Sequence, residues 1–352
     1  MSVHILFSGA ITNENTYHGW PTIICTAGNE LLAVCSGGRQ NHVCPYGRVY
    51  LYRSMDGALT WTGPEKLSSG PLDDRDAGIC QTGSGALLVN YFTSILHLAM
   101  AANAPSDYPA EWLERAKQLS IQEVWQAQGF WMRRSVDDGK NWSEKYLIPA
   151  NNPHGPALLQ DGSLLMVGHP YVAPPECSIG GTPEGKDIVA IRSMGDGLTW
   201  ETLSTSPAEP GSQIQQYHEP YSIQAANGTI ITMIRDHNYG GDTRQTVSVD
   251  GGHTWSIPRK VSNGYPAHML NLPDGRILMV CGFRTPPYGI RAVISKDFGE
   301  TWSEELHIYD EGKNWDLGYP STAQMPDGSF ITLWYENNGE ICQLKYRVWK
   351  LK

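Results

Sequence analysis

Phenylalanine is scarce in this chain, 6 in 352 residues, and several informative patterns are missing. No run of lysine or arginine is long enough to follow a nucleic-acid backbone or an anionic lipid surface. The formal charge is −10, so neither is an expected partner. No stretch has the roughly 20 apolar residues of a membrane-spanning helix. CxxC pairs are lacking, and the seven cysteines (Cys25, Cys35, Cys44, Cys80, Cys177, Cys281, Cys342) sit mostly in apolar runs such as Ile23-Ile24-Cys25. That is the habit of buried free thiols. HExxH spacing is also absent, and His154, His169, His237 and His268 are scattered, so no metal or cofactor is expected. Residues Met1 to Asn15 lack the basic region and apolar core of a signal peptide. The chain accordingly reads as cytoplasmic, or as secreted or periplasmic if a leader was removed.

Glycine (37), proline (23), tryptophan (12) and tyrosine (17) are plentiful. Frequent turns with many aromatics suit short strands better than helices. Internal repeats support this. The pattern S-x-D-x-G-x-T-W occurs five times, at Ser54–Trp61, Ser135–Trp142, Ser193–Trp200, Ser248–Trp255 and Ser295–Trp302, with Ala58 in the glycine place and Gly195 in an aspartate place. Its aspartate can bind backbone amides, its glycine supplies positive φ, and its tryptophan anchors a hairpin.

A second turn, followed by paired large apolar residues, occurs six times: Asn29, Gly85, Gly162, Gly228, Gly275 and Gly328 open the copies. Two hairpins per unit imply four strands per unit. The expectation is an all-β, six-bladed β-propeller spanning residues 1–352 as one domain. Its closing strand, Gln343–Trp349, would pair near Val3–Ile5. One segment, about 105–128, is rich in helix formers, with Trp112, Leu113, Ala116 and Leu119 at amphipathic spacing. It predicts a helical insertion in the second blade, packed on the side or forming part of a pocket rim.

Upstream of each second-repeat turn lies a polar cluster: His18-Gly19-Trp20-Pro21, Asp73-Asp74-Arg75-Asp76, His154-Gly155-Pro156, Tyr217-His218-Glu219-Pro220, Tyr265-Pro266-Ala267-His268 and Asp316 through Pro320. Clusters at the same point of every unit predict a shared mouth at the channel axis. With the boxes, they make the chain resemble the sialidase (neuraminidase) superfamily over its whole length. The resemblance implies a tyrosine nucleophile at Tyr319 paired with Glu219, and substrate-carboxylate arginines at Arg235 and Arg284, with Arg291 the rival of Arg284. Two family features are missing. Gly19-Trp20-Pro21 stands where the family has Arg-Ile-Pro, and His42 stands where it has its acid/base aspartate. Arg39, Asp76, Trp20, His154 and His218 complete the expected binding set, with Trp20 offering a flat face for a sugar ring.

The expected function is an exo-acting glycoside hydrolase that releases a terminal acidic or deoxy sugar from a glycan or oligosaccharide. A tyrosine's pKa of ~10 calls for a neighbouring base, which Glu219 supplies. His42 suits general acid/base work near neutrality. A polysaccharide lyase acting on uronates through His/Tyr chemistry is one alternative, and a non-catalytic glycan-binding propeller is the other.

Overall fold

The structure is a computed structural model, and it describes residues 1–12, 16–173, 185–238 and 240–352. It is an all-β, propeller-like fold with few helices. The second-repeat turns join the first and second strands of each unit, as at Asp73–Gln81 and Leu87–Ser94, or Tyr217–Gln224 and Ile230–Asp236. The S-x-D-x-G-x-T-W boxes join the third and fourth strands, as between Asp242–Ser248 and Arg259–Ser262. In four of the boxes the serine hydroxyl accepts a backbone amide at the glycine place while the aspartate accepts one four residues on. Gly139 N to Ser135 is 2.9 Å and Asn141 N to Asp137 is 2.9 Å. The box tryptophans are half-buried.

The expected count of six four-stranded blades is corrected by the hydrogen bonding. The described strands form five sheets: three of four strands, one of five and one of eight. The eight-stranded sheet arises because the chain closes on itself. The first strand, Val3–Ala10, runs antiparallel to the last, Cys342–Leu351, with Ile5 opposite Trp349. Tyr17 then pairs in parallel with Cys342 and joins the first and last repeats. The expected terminal pairing is therefore present, and the same closure merges two units into one sheet.

Apolar faces of neighbouring sheets pack against each other, as Val34, Val49 and Leu51 do against Ile79, Leu87 and Val89. Such burial is the main stabilising term in a fold of this kind. The helical insertion is also corrected. It comprises three helices, α1 (Leu96–Ala102), α2 (Ala110–Gln118) and α3 (Ile121–Ala127), and begins at Leu96 rather than near residue 105. The first helix, of Leu, His, Ala and Met, continues the apolar strand Leu87–Ser94 without a break in hydrophobicity, which hides its start. Five of the described cysteines are buried and Cys25 is half-buried, all as free thiols; Cys177 lies outside the described residues. Among the described residues, no helix is long and apolar enough to cross a membrane.

Candidate active site

Four inner strands share one irregularity. Tyr17–Cys25, Asp73–Gln81, Tyr217–Gln224 and Leu317–Gln324 each slip register against the next strand, at residues 17–22, 75–78, 218–221 and 318–321. A residue within each slip has left-handed backbone: Trp20 (φ 53°), Asp76 (φ 50°), Glu219 (φ 52°) and Tyr319 (φ 49°). Positive φ at such residues costs on the order of 1–3 kcal/mol each, so the surrounding sheets must hold them there. The extra residue of a bulge re-aims a side chain. Proline follows at Pro21, Pro220 and Pro320, and it fits a bulge because it has no amide to lose from the ladder.

Two of these re-aimed residues meet. The Tyr319 hydroxyl donates to Glu219 Oε1 across 100 residues of chain. Arg235 Nη1 donates to both Glu219 oxygens at 2.8 and 3.0 Å and lies 3.3 Å from the Tyr319 oxygen. Burial alone would raise the Glu219 pKa, but the Arg235 charge and the Tyr319 hydrogen bond outweigh it and hold the carboxyl at about 2. Burial and the Glu219 charge push Tyr319 well above the usual phenol value. At neutral pH the pair is therefore a carboxylate accepting from a neutral phenol.

Among the described residues, Arg284 donates to neutral acceptors, the Leu317 carbonyl at 2.9 Å and the Tyr335 hydroxyl at 3.0 Å, with its guanidinium 5.5 Å from the Tyr319 ring centre. Its rival Arg291 is engaged by Glu305 at 2.6 Å and Asp310 at 3.4 Å. Arg284 is thus the arginine placed at the site.

His42 anchors the other side. The Tyr17 hydroxyl is 2.8 Å from His42 Nδ1 and 3.1 Å from each Asp316 oxygen. Asp316 also accepts from Tyr335 and from Asn337, each at 3.0 Å. Burial opposes its charge, but the His42 and Asn337 hydrogen bonds bring its pKa to about 2. An ionised Asp316 can only accept, so Tyr17 donates to it and accepts from Nδ1–H. His42 Nε2 then carries a free lone pair. Burial lowers the His42 pKa, with the Arg75 and Arg39 charges adding to the effect against the pull of Asp316. The imidazole is neutral at pH 7, and its side chain is 38 % exposed.

The sequence profile described as the BNR repeat-like domain matches residues 116–332. The chain belongs to the BNR repeat-like domain family. No curated protein matches it. Among solved structures it is similar to a protein of unknown function from Dyadobacter fermentans, with 23% identity, TM-score 0.80 and full coverage of both chains. It is also similar to a Hadza microbial sialidase (19% identity, TM-score 0.69, 95% of this chain and 66% of that one). The NanB sialidase of Streptococcus pneumoniae follows at 13% identity and TM-score 0.68, over 100% of this chain and 71% of that one. These likenesses give this BNR repeat-like protein a sialidase-like fold.

The remaining expected ligands of this BNR repeat-like protein divide by their partners. Arg39 is fully buried; it forks onto Asp73 at 2.5 and 3.0 Å and reaches the His42 carbonyl at 2.7 Å. It is a strut under the His42 loop rather than a substrate ligand. Trp20 is 2% exposed, with the guanidiniums of Arg75 and Arg39 at 4.2 and 4.8 Å from its ring centre. Its face is covered, which removes the expected sugar platform. His154 is buried in a ring cluster with Tyr221 and His268, centroids at 5.3 and 5.1 Å, and burial takes its pKa to about 4. His218 lies 5.2 Å from His237, whose Nε2 accepts from Arg235 Nε, so it flanks the arginine rather than the nucleophile. Among the described residues, no three metal-ligating side chains converge.

Asp76 is close enough to Glu219 to feel its charge. Burial raises its pKa to about 7, although Arg75 pulls it down. Arg75 itself was not among the expected site residues. Its nearest carboxylate oxygens, on Asp73 and Asp76, are both at 3.9 Å, and its buried Nε has no hydrogen-bond partner among the described residues. Asp73 is already engaged by Arg39, and Asp76 is partly protonated, so the Arg75 charge is incompletely balanced. Tyr17, Asp316 and Tyr335 were missed as well. Arg75 and Asp316 stood inside the polar clusters, but nothing local separated them from their neighbours.

Proposed function

We propose that this protein is an exo-acting glycoside hydrolase that releases a terminal sugar bearing an anionic group. The observation that carries the proposal is the hydrogen bond from the Tyr319 hydroxyl to the ionised Glu219, with Arg235 against both. The Tyr319 oxygen attacks the anomeric carbon, and its proton passes to Glu219 as the new C–O bond forms. In the resting state that transfer is uphill, because the phenol is the weaker acid; bond formation at oxygen makes it favourable. Arg235 stays paired with Glu219 and keeps the carboxylate aligned, which is the orienting third group of an activated nucleophile.

The bond to the leaving group breaks on the opposite side, and the departing oxygen needs a proton. His42 faces the same Trp20 that abuts Tyr319, with ring centres at 5.0 and 6.4 Å respectively. The minor, protonated form of His42 supplies that proton; neutral His42 then takes one from the water that hydrolyses the tyrosyl–sugar bond, and Glu219 returns its proton to the departing Tyr319 oxygen. Tyr17 and Asp316 hold the imidazole with Nε2 outward for both steps. Arg284 and Arg75, neither held by a close carboxylate, support recognition of an anionic sugar, since a guanidinium fork matches a carboxylate or a sulfate.

A panel of aryl glycosides carrying neutral, uronic and ulosonic terminal sugars tests the proposal. The expected result is release of an acidic sugar, abolished in Tyr319→Phe. Sugar binding without turnover by the wild type would assign a glycan-binding role instead. An unsaturated product absorbing in the ultraviolet would assign elimination.

A further inference from the structure

Beyond His42 lies a second cavity, outside the ring of re-aimed residues. It is a cleft of about 410 Å³, within the range of roughly 300–1,000 Å³ usual for small-molecule sites. On one side are Asn41, His42 and Val43; on the other are residues of the helical insertion, among them Met100, Asp107, Tyr108 and Trp112. We propose that this cleft binds the leaving-group sugar of the glycan, and that the helical insertion exists at this position to build it. The inference rests on the hydrolase function proposed above and extends it from the terminal sugar to its neighbour.

Three observations support it. The first is position. Tyr319 and His42 flank the same Trp20, so a bond attacked from Tyr319 and protonated from His42 is cleaved between them. Whatever departs lies on the His42 side, and the cleft opens there. His42 is at once a wall of the cleft and the residue nearest the departing oxygen.

The second is rigidity, which distinguishes a built wall from a loop resting on the surface. The Trp112 indole N–H donates to Gln40 at 2.7 Å, two residues before His42. Arg115 donates to the Pro71 carbonyl at 2.8 Å and lies 5.1 Å from the Tyr46 ring centre. Tyr108 spends its hydroxyl on the His97 carbonyl at 3.0 Å and packs edge-on to Trp112 with ring centres at 5.6 Å. Val124 and Ala127 of α3 bury against Leu72, just before the strand Asp73–Gln81. The insertion is therefore tied to the His42 loop at several points, and ligand groups held this way lose little freedom on binding.

The third is chemistry. The half-exposed Tyr108 ring and the exposed Met100 present apolar surface suited to the C–H face of a pyranose. Asn41 and Asp107, both exposed, can bind its hydroxyls. Among the described residues no lysine or arginine lines the cleft, which favours a neutral sugar there over a second acidic one.

The test uses the terminal sugar identified with the aryl panel, presented as its methyl glycoside and as its lactose glycoside. The wild type should prefer the lactoside by tenfold or more in kcat/KM. Tyr108→Ala and, separately, Met100→Ala should shrink that ratio to within about threefold of unity. A wild-type ratio near one, or a high ratio that survives both substitutions, overturns the subsite while leaving the hydrolase function in place. Met100 is 41% exposed, so its variant is expected to fold even if Tyr108→Ala is damaged. Calorimetric titration with free lactose decides the matter apart from turnover. Binding by the wild type that is lost in Tyr108→Ala supports the cleft; no binding, or equal binding in the two proteins, overturns it. Absence of turnover on every glycoside would remove the hydrolase function, and the lactose titration would still separate the two failures.

Discussion

Each repeat has an outer turn and an inner mouth, and the two are built differently. At the outer turns, Ser135, Asp137, Gly139 and Asn141 satisfy one another within seven residues, and the same bonds recur at Ser248–Thr254 and Ser295–Thr301. At the mouth, Tyr319 reaches Glu219 across 100 residues, and Tyr17 reaches Asp316 across 299. The outer turn uses the same residue types nearly every time. The mouth places tryptophan, aspartate, glutamate and tyrosine at equivalent left-handed positions of the four inner strands. A repeated backbone device thus presents a different side chain from each strand, and the combination of side chains supplies the chemistry. Substitutions should therefore affect stability at the turns and activity at the mouth.

The largest expected effect is at the nucleophile. Tyr319→Phe keeps the ring and removes the attacking oxygen, and kcat should fall by about a thousandfold or more while the melting temperature hardly moves. Glu219→Gln should combine a comparable rate loss with a stability loss of about 3–5 kcal/mol, because it leaves Arg235 buried without its counter-charge. If Tyr319→Phe retains more than a tenth of wild-type kcat, the chemistry lies elsewhere in the mouth.

His42→Ala comes next, with a loss of about a hundredfold or more. The folded pKa of His42 lies below 6.5, so the neutral base is present at pH 7 and is lost as pH falls through that lower value. Hydrolysis of the tyrosyl–sugar intermediate needs that base, so the rate of this second step, read from single-turnover decay of the intermediate, should have an acidic limb below pH 6.5 that vanishes in His42→Ala. An acidic limb that persists unchanged in that variant would transfer the role to another group.

Asp76→Asn sharpens the comparison through stability. The Asp76 pKa is raised on folding, to about 7. Between the unfolded value near 4 and pH 7 the folded state keeps a proton that the unfolded state has lost. Wild-type stability therefore drops over that window relative to a variant that cannot ionise. The variant's advantage should be small at pH 4 and reach a few kcal/mol above pH 7, read from urea denaturation at the two pH values. A gain independent of pH would contradict it.

The smallest effect belongs to the outer turn. Ser135→Ala removes a buried hydroxyl that accepts from Gly139 and donates to Asp137 at 2.8 Å. About 1 kcal/mol of stability should be lost, with kcat unchanged. A change in kcat larger than twofold would mean that turn and mouth are coupled.

The residues legible in the sequence were those whose role is written locally. The box turns and the strand pairs around the second turns could be read because each is a local feature, whereas the roles of Glu219 and Tyr319 came from the resemblance to sialidases that the Glu219-Pro220 and Tyr319-Pro320 strings carry. Arg39 and Trp20 were read differently from what they do, since their roles depend on what covers them. Arg39 is neutralised by Asp73 of another strand, and Trp20 is capped by the two arginines. Arg75 could not be singled out locally, because only the fork of Arg39 onto Asp73, from another strand, leaves it incompletely balanced.

From its sequence alone, this protein is determined as a repeating all-β chain with apolar strands, hairpin turns of defined chemistry and a polar string before each inner turn. Those features depend on side chains acting on backbone only a few residues away. The tertiary structure decided how many sheets the strands form, because the seam between first and last repeats rests on the single Tyr17–Cys342 pairing. It also decided which charges remain available to a substrate and that the helical insertion walls a cleft beside His42. Those outcomes depend on distances between residues up to about three hundred positions apart, and such distances exist only once the sheets have closed around the channel.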